Sequence, residues 1–167
     1  MKSVKKLTLL ALFTTIALII FVIEFAIPPI VPIPSVKLGL ANIVTLLLIV
    51  NRMPKEAAVV LLMRIFLASI FAGQMMSFFF SLLGGIFCLI AMTLSNRLLR
   101  GQFIWFTSII GAIFHNAGQL LAAIITLQSI YVIYYGPFLL VSAVITGFFT
   151  GMCVHFLKDR IPMDRYF

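Results

Sequence analysis

Four ionisable side chains lie within long apolar stretches of this chain, or at the edge of one, where charge is unfavourable. They are Glu24, Lys37, Arg64 and His115. An ionised group at membrane depth costs about 2.5–3.5 kcal/mol on insertion scales, so each one requires a partner or a wet cavity. A guanidinium presents several N–H donors in a planar fork that suits anions and carbonyl groups. Arg64 is therefore a candidate anchor for the anionic or carbonyl group of a bound ligand.

A second interpretation of Arg64 is structural. Arg64, Ala68 and Ala72 recur at four-residue spacing and share one helix face. That face must point into a helix bundle, because a guanidinium cannot face lipid and alanines allow close packing. Glu24 stands at a similar depth near the end of the first apolar stretch, so we predict it as the charge partner of Arg64. The sequence leaves open whether Arg64 pairs with Glu24 or with a ligand.

A second group of polar residues lies around His115. Gly111, His115, Gly118 and Gln119 share one face of a predicted helix, and Asn116 adds a second amide. Two glycines beside a histidine and an amide indicate a backbone that another group approaches closely. A lone membrane histidine often makes only an interhelical hydrogen bond. Three polar side chains within five residues instead favour the wall of a cavity.

A third polar group opens the second apolar stretch. Asn42 and Thr45 are three residues apart and so lie side by side on a helix. Lys37 either extends to lipid headgroups or closes the mouth of a pocket above Arg64. The predicted substrate-binding residues are Lys37, Asn42, Arg64, His115, Asn116 and Gln119, with Glu24 as the charge partner.

Catalytic and metal chemistry finds no support in the sequence. The chain holds four acidic residues, and its two aspartates, Asp159 and Asp164, lie in the C-terminal tail. No aspartate-rich diphosphate site, Walker A, HExxH or GxSxG motif is present. Cys88 and Cys153 stand in apolar stretches without metal-ligand spacing. We predict neither an enzyme nor a resident cofactor or metal.

The composition indicates that the chain lies in a lipid bilayer. The chain has 167 residues, of which 63% are hydrophobic and 10% charged, whereas soluble domains carry about a quarter charged residues. Mean hydropathy is +1.25. These values predict a single integral membrane domain over residues 1–167. The net charge of +8 is scattered through short loops, which favours contact with anionic lipid and argues against nucleic acid.

The basic residues also predict a topology. Ten of the twelve fall where a six-span protein would turn in the cytoplasm, and Lys37 and Arg64 are the exceptions. We therefore predict an all-α bundle of six transmembrane helices in the bacterial cytoplasmic membrane, with both termini cytoplasmic. The spans are about 7–27, 38–52, 56–71, 75–94, 103–127 and 131–157. The second is short of the ~20 residues that cross hydrocarbon unaided, so it extends beyond the apolar stretch, tilts little, or lies inside the bundle.

The sixth span carries a stripe of small residues, Ala143, Gly147 and Gly151. Such stripes mostly pack neighbouring helices of the same chain, and docking to a partner subunit is the alternative.

Several segments together resemble one protein family. They are Val36–Ile43, Arg64, Ser81–Gly85 and Gly111–Gln119. The family is known both as heptaprenyl diphosphate synthase component I and as the Gx transporter family. More distantly, the layout is similar to the substrate-binding (S) components of energy-coupling factor vitamin transporters, which also have six helices and a proline-rich loop after the first. That resemblance implies a gate formed by residues 28–37 over a pocket that opens outward.

Two functions follow as expectations. The first is an S-component-like membrane protein that binds a small vitamin-, flavin- or prenyl/quinone-precursor-like solute for uptake, driven by partner membrane and ATPase subunits. The second is a non-catalytic membrane subunit that scaffolds a prenyl diphosphate synthase or a flavin/quinone-linked extracellular electron-transfer complex. Substitution of the buried polar residues distinguishes the two, because a scaffold tolerates it apart from losses in folding.

Overall fold

The structure, a computed structural model, describes residues 2–26, 39–73 and 75–161. These residues form six α-helices and no strand, which confirms the all-α prediction. The helices are α1 (Lys2–Phe25), α2 (Asn42–Val50), α3 (Pro54–Ala72), α4 (Met75–Leu98), α5 (Ile104–Leu127) and α6 (Gly136–Lys158), with a 3-10 segment at Ile130–Tyr135 between α5 and α6. The sixth predicted span therefore begins as a 3-10 turn. Its α-helix starts where Pro137, which lacks an N–H, fits the first turn.

Four segments of the described chain are long and apolar enough to cross a membrane. They are Val4–Glu24, Met75–Leu98, Ile104–Leu127 and Ile130–Lys158. Helix α2 has only nine residues, and α3 carries three charged residues in nineteen. The structure thus supports a membrane-embedded helical protein. Crossing by α2 and α3, and the cytoplasmic position of the two ends, stay predictions.

The short helix α2 lies inside the bundle. It packs against α1, α3, α4 and α6, and eight of its nine residues are buried. Other helices therefore cover most of its surface, including the polar side chains of Asn42 and Thr45. Of the three ways in which the short second span might be accommodated, the structure shows burial among longer helices.

The stripe of small residues on α6 packs within the chain, against α5. A Cβ atom added to Gly147 would lie 2.7 Å from Cα of Ile109, and one added to Gly151 would lie 2.5 Å from Cα of Trp105. Beside this contact the hydroxyls of Ser108 and Thr150 are hydrogen-bonded at 2.6 Å. The described α5–α6 packing therefore accounts for both glycines.

Two hydrogen bonds and a shared cleft bring the start of α1, the α2–α3 turn, the α4–α5 turn and the end of α6 to one end of the bundle. Lys6 Nζ donates to Glu56 Oε1 at 2.5 Å, and Asn96 Nδ2 donates to the Ile49 carbonyl at 3.3 Å. Lys158 shares a cleft with both turns. We call this the basic end, because the basic residues of the two turns and the end of α6 meet there.

Candidate polar binding site

The imidazole of His115, on α5, lies between two glycines from other parts of the chain. A Cβ atom at Gly39 would be 2.9 Å from Cδ2 and 3.1 Å from Nε2 of His115. A Cβ atom at Gly84, on α4, would be 2.9 Å from Cε1 and 3.0 Å from Nδ1. A side chain at either glycine would require the ring to shift, so the two glycines allow the ring to lie where it does.

A close crossing of α4 and α5 places His115 there. A Cβ atom at Gly118 would be 2.7 Å from the Leu83 carbonyl oxygen and 2.8 Å from Cα of Gly84. The backbones of the two helices therefore touch at Gly84 and Gly118, as small residues allow in membrane bundles. Gln119, one residue further along α5, lies against the same Gly84 through its Cγ and is buried.

Glu24 contacts the polar group formed around His115 and Gln119, which we call the cluster, through the backbone of Gly39. Its Oε1 accepts a hydrogen bond from the Gly39 N–H at 2.5 Å, and its side chain is buried near the end of α1. Gly39 adopts a φ of +79°, which L-residues rarely adopt. The Cβ position of the same glycine lies 3.0 Å from Nδ2 of Asn42. Gly39 thus connects Glu24, His115 and Asn42 at the entry to α2.

Arg64 is buried on α3, with 4% of its surface exposed. Its charge is attracted to Glu24 and is close enough to act on His115. The ion pair within 4.0 Å in the described residues is Lys6–Glu56, so Arg64 and Glu24 interact across a longer distance. No described residue accepts a hydrogen bond from Nε or Nη2 of Arg64. Leaving such buried donors unpaired costs at least about 1–3 kcal/mol.

Two other side chains of the cluster also have buried atoms without a hydrogen-bond partner in the described chain. They are Oδ1 of Asn42 and Nδ1 of His115, although the His115 ring also interacts with the backbone of Gly84. Both residues are at least 95% buried. Buried polar atoms are paired in the great majority of cases, and Asn96, Thr107 and Asn116 carry further unpaired ones in the described chain.

Asn116 has one hydrogen-bonded amide atom, while its Oδ1 is buried without a hydrogen-bond partner in the described chain. Its Nδ2 donates to the Leu139 carbonyl at 2.8 Å, so its amide ties α5 to α6. Lys37 and the proline-rich segment around it lie outside the described residues. Gly39 and Gly84 therefore bring together Glu24, Asn42, His115 and Gln119, and Arg64 lies within electrostatic range of Glu24 and His115.

Sequence reasoning missed the role of Gly84. The pair Gly84-Gly85 reads as an interruption of the fourth span, whereas α4 runs through it without a break. Gly84 leaves space for the ring of His115. A Cβ atom at Gly85 would contact the side chains of Leu61 and Ile65 on α3. The available signal was the pair itself, because adjacent glycines inside a helix usually have a packing reason.

Metal binding finds no support in the part of the chain that the structure describes. No group of three His, Cys, Asp or Glu side chains there is arranged to hold a metal ion. Cys88 is buried and Cys153 is partly buried, and both are free thiols.

Comparison with known proteins places the chain in a family. The family model described as heptaprenyl diphosphate synthase component I matches residues 13–157. The chain belongs to this family. The component I match extends from α1 to the last turns of α6 and includes all five residues of the cluster, so the family resemblance drawn from the sequence is confirmed. Neither a curated protein nor a solved structure matches the chain.

Proposed function

We propose that this protein is an S-component-like membrane binding protein that holds a small solute at the Arg64–His115 cluster. The observation that carries the proposal is the buried guanidinium of Arg64, whose Nε and Nη2 have no acceptor among the described residues. A ligand with an anionic or carbonyl oxygen would accept from both groups and offset the cost of their burial.

The other buried atoms restrict the chemistry of that solute. Oδ1 of Asn42 can only accept a hydrogen bond, and Nδ1 of His115 donates or accepts according to its tautomer. A matching solute therefore presents an acceptor to Arg64 and a donor, such as a hydroxyl or amide N–H, to Asn42. Vitamin-, flavin- and quinone-precursor-like molecules carry both kinds of group, whereas a hydrocarbon chain carries neither.

The position of the cluster favours entry from the end opposite the basic end. Glu24 lies near the last residue of α1, far along the helix from Lys6 at the basic end. With the predicted orientation, the cluster is nearer the outer face, and Lys37 would stand at its mouth. Glu24 accepts a hydrogen bond from the Gly39 N–H, which couples the end of α1 to the glycine beside His115.

Uptake requires an energy source that this chain does not supply. Its sequence has no phosphate-binding motif for ATP. We propose that partner membrane and ATPase subunits provide the energy and that the chain itself is not an enzyme.

The family match supports a second candidate. The family name denotes one component of a synthase, which favours a non-catalytic membrane subunit that scaffolds a prenyl diphosphate synthase or an electron-transfer complex. In that case the polar cluster would serve folding alone.

Purification in mild detergent followed by mass spectrometry of bound small molecules tests the proposal. We expect a stoichiometric solute with the wild type, and its loss from Arg64→Ala and His115→Ala that stay monodisperse. Ser108→Ala is the matched control, because it removes a buried polar contact of α5 with α6. If the wild type carries no solute but co-purifies with a protein subunit, and Arg64→Ala retains that subunit, the scaffold function is correct and solute binding is not.

A further inference from the structure

A cleft at the basic end is separate from the polar cluster. Its volume is about 580 Å³, and it lies where the α2–α3 turn, the α4–α5 turn and the end of α6 meet. Its lining residues are Ile49, Val50, Arg52, Pro54, Thr93, Asn96, Arg97, Arg100, Gly101 and Lys158.

Four cations from different segments converge on this cleft. Arg52 stands in the α2–α3 turn, Arg97 in the last turn of α4, Arg100 in the α4–α5 turn, and Lys158 at the end of α6. No acidic residue of the described chain lines the cleft. Glu56, the acid of α3, bonds Lys6 instead. Arg52, Arg97 and Arg100 are exposed and Lys158 is half-buried, so water and salt weaken their mutual repulsion and a bound anion would reduce it further.

The backbone holds two of these arginines in an unusual conformation. Arg52 has a φ of 62° and Arg100 a φ of 50°, in the left-handed region that residues other than glycine seldom adopt. Arg52 N–H bonds the Ile49 carbonyl at 3.0 Å and Gly101 N–H bonds the Asn96 carbonyl at 3.0 Å. Asn96 Nδ2 also donates to the Ile49 carbonyl, so the two turns are fixed to each other.

We propose that this cleft binds a phosphate group. Three guanidinium groups offer paired N–H donors that match phosphate oxygens, and an ammonium adds a fourth charge. The phosphate belongs either to the headgroup of an anionic lipid or to a soluble phosphate compound. Retention of positive charge at a cytoplasmic face explains basic residues in these turns, but it does not require them to converge on one cleft. Lys55 illustrates this, because it is exposed at the same end and does not line the cleft. The inference is independent of the solute proposed at Arg64.

The test uses the full-length protein in detergent and two helical substitutions that leave the strained turns intact. Arg97→Gln/Lys158→Gln removes two charges from the cleft, and Lys55→Gln is the matched control. One arm measures binding of phosphatidylglycerol against phosphatidylcholine by native mass spectrometry. The other measures binding of inorganic diphosphate by calorimetry.

We expect at least one phosphate probe to bind the wild type and Lys55→Gln, and to bind Arg97→Gln/Lys158→Gln about thirtyfold more weakly. Selective loss of phosphatidylglycerol assigns the site to a lipid headgroup, and selective loss of diphosphate assigns it to a soluble compound. Equal binding by all three proteins, or failure of both probes to bind the wild type, would overturn the proposal. The Arg97→Gln single variant gives the same comparison if the double variant does not fold.

Discussion

The imidazole of His115 on α5 lies against the Cα of Gly84 on α4, in space that any other side chain at position 84 would fill. The glycine thus determines where the ring and the neighbouring Gln119 can be. The same α4–α5 contact aligns the cluster with Asn42 and Gly39 at the entry to α2.

Gly84→Ala should therefore displace His115. Its Cβ would lie 2.9 Å from Cε1 of His115 and 3.0 Å from Cγ of Gln119, and such overpacking costs about 1–3 kcal/mol. We expect lower thermal stability in detergent and loss of the co-purifying solute. Gly136→Ala is the control, because its Cβ would meet only Leu120 at 3.9 Å. Equal behaviour of the two variants would show that His115 is not held by this contact.

Gly118→Ala and Gly111→Ala form a matched pair on one helix. A Cβ atom at Gly118 would meet α4 backbone at 2.7 Å, whereas one at Gly111 would meet the flexible side chain of Met92 at 2.3 Å. Backbone cannot move without separating the helices, while methionine has other rotamers. We expect Gly118→Ala to lose about 1–2 kcal/mol more stability than Gly111→Ala in denaturation measurements. The reverse order would contradict the described α4–α5 packing.

Glu24 and Arg64 should be coupled although they do not form a close ion pair. Glu24→Gln keeps an oxygen that can accept from the Gly39 N–H but removes the negative charge that interacts with Arg64. We therefore expect the free energy of unfolding to fall by about 1–3 kcal/mol. Arg64→Gln should relieve part of that loss in the double variant. A double-mutant cycle on unfolding free energies measures this coupling, which typically lies at about 0.5–3 kcal/mol for interacting residues. Strictly additive effects would show that the two charges do not interact.

Asn116→Ala should affect stability and not binding. The substitution removes the hydrogen bond from Nδ2 to the Leu139 carbonyl, which is worth about 0.6–1.7 kcal/mol between membrane helices. We expect a lower unfolding temperature with the solute retained at full stoichiometry. If Asn116→Ala stays folded but loses the solute, the prediction is wrong and Asn116 is part of the ligand site.

The helical class and the long apolar segments were predictable, because runs of apolar residues between basic clusters leave few alternatives. The cluster of Glu24, Arg64 and His115 was predictable in part, since ionisable groups in apolar stretches must face the interior. The partner of Asn116 was not, because a backbone carbonyl on another helix leaves no mark in the sequence. The role of Gly84 was also hidden, since it depends on which helix crosses at that residue.

The burial of α2 has a consequence for biosynthesis. A nine-residue helix is too short to cross a bilayer alone. One of the helices that pack against it is α6, which begins at Gly136, long after α2 ends at Val50. Until α6 has been synthesised, α2 lacks its packing contact with that helix. The chain therefore completes its core last, and nascent chains that stop before α6 should be recognised and degraded by membrane proteases.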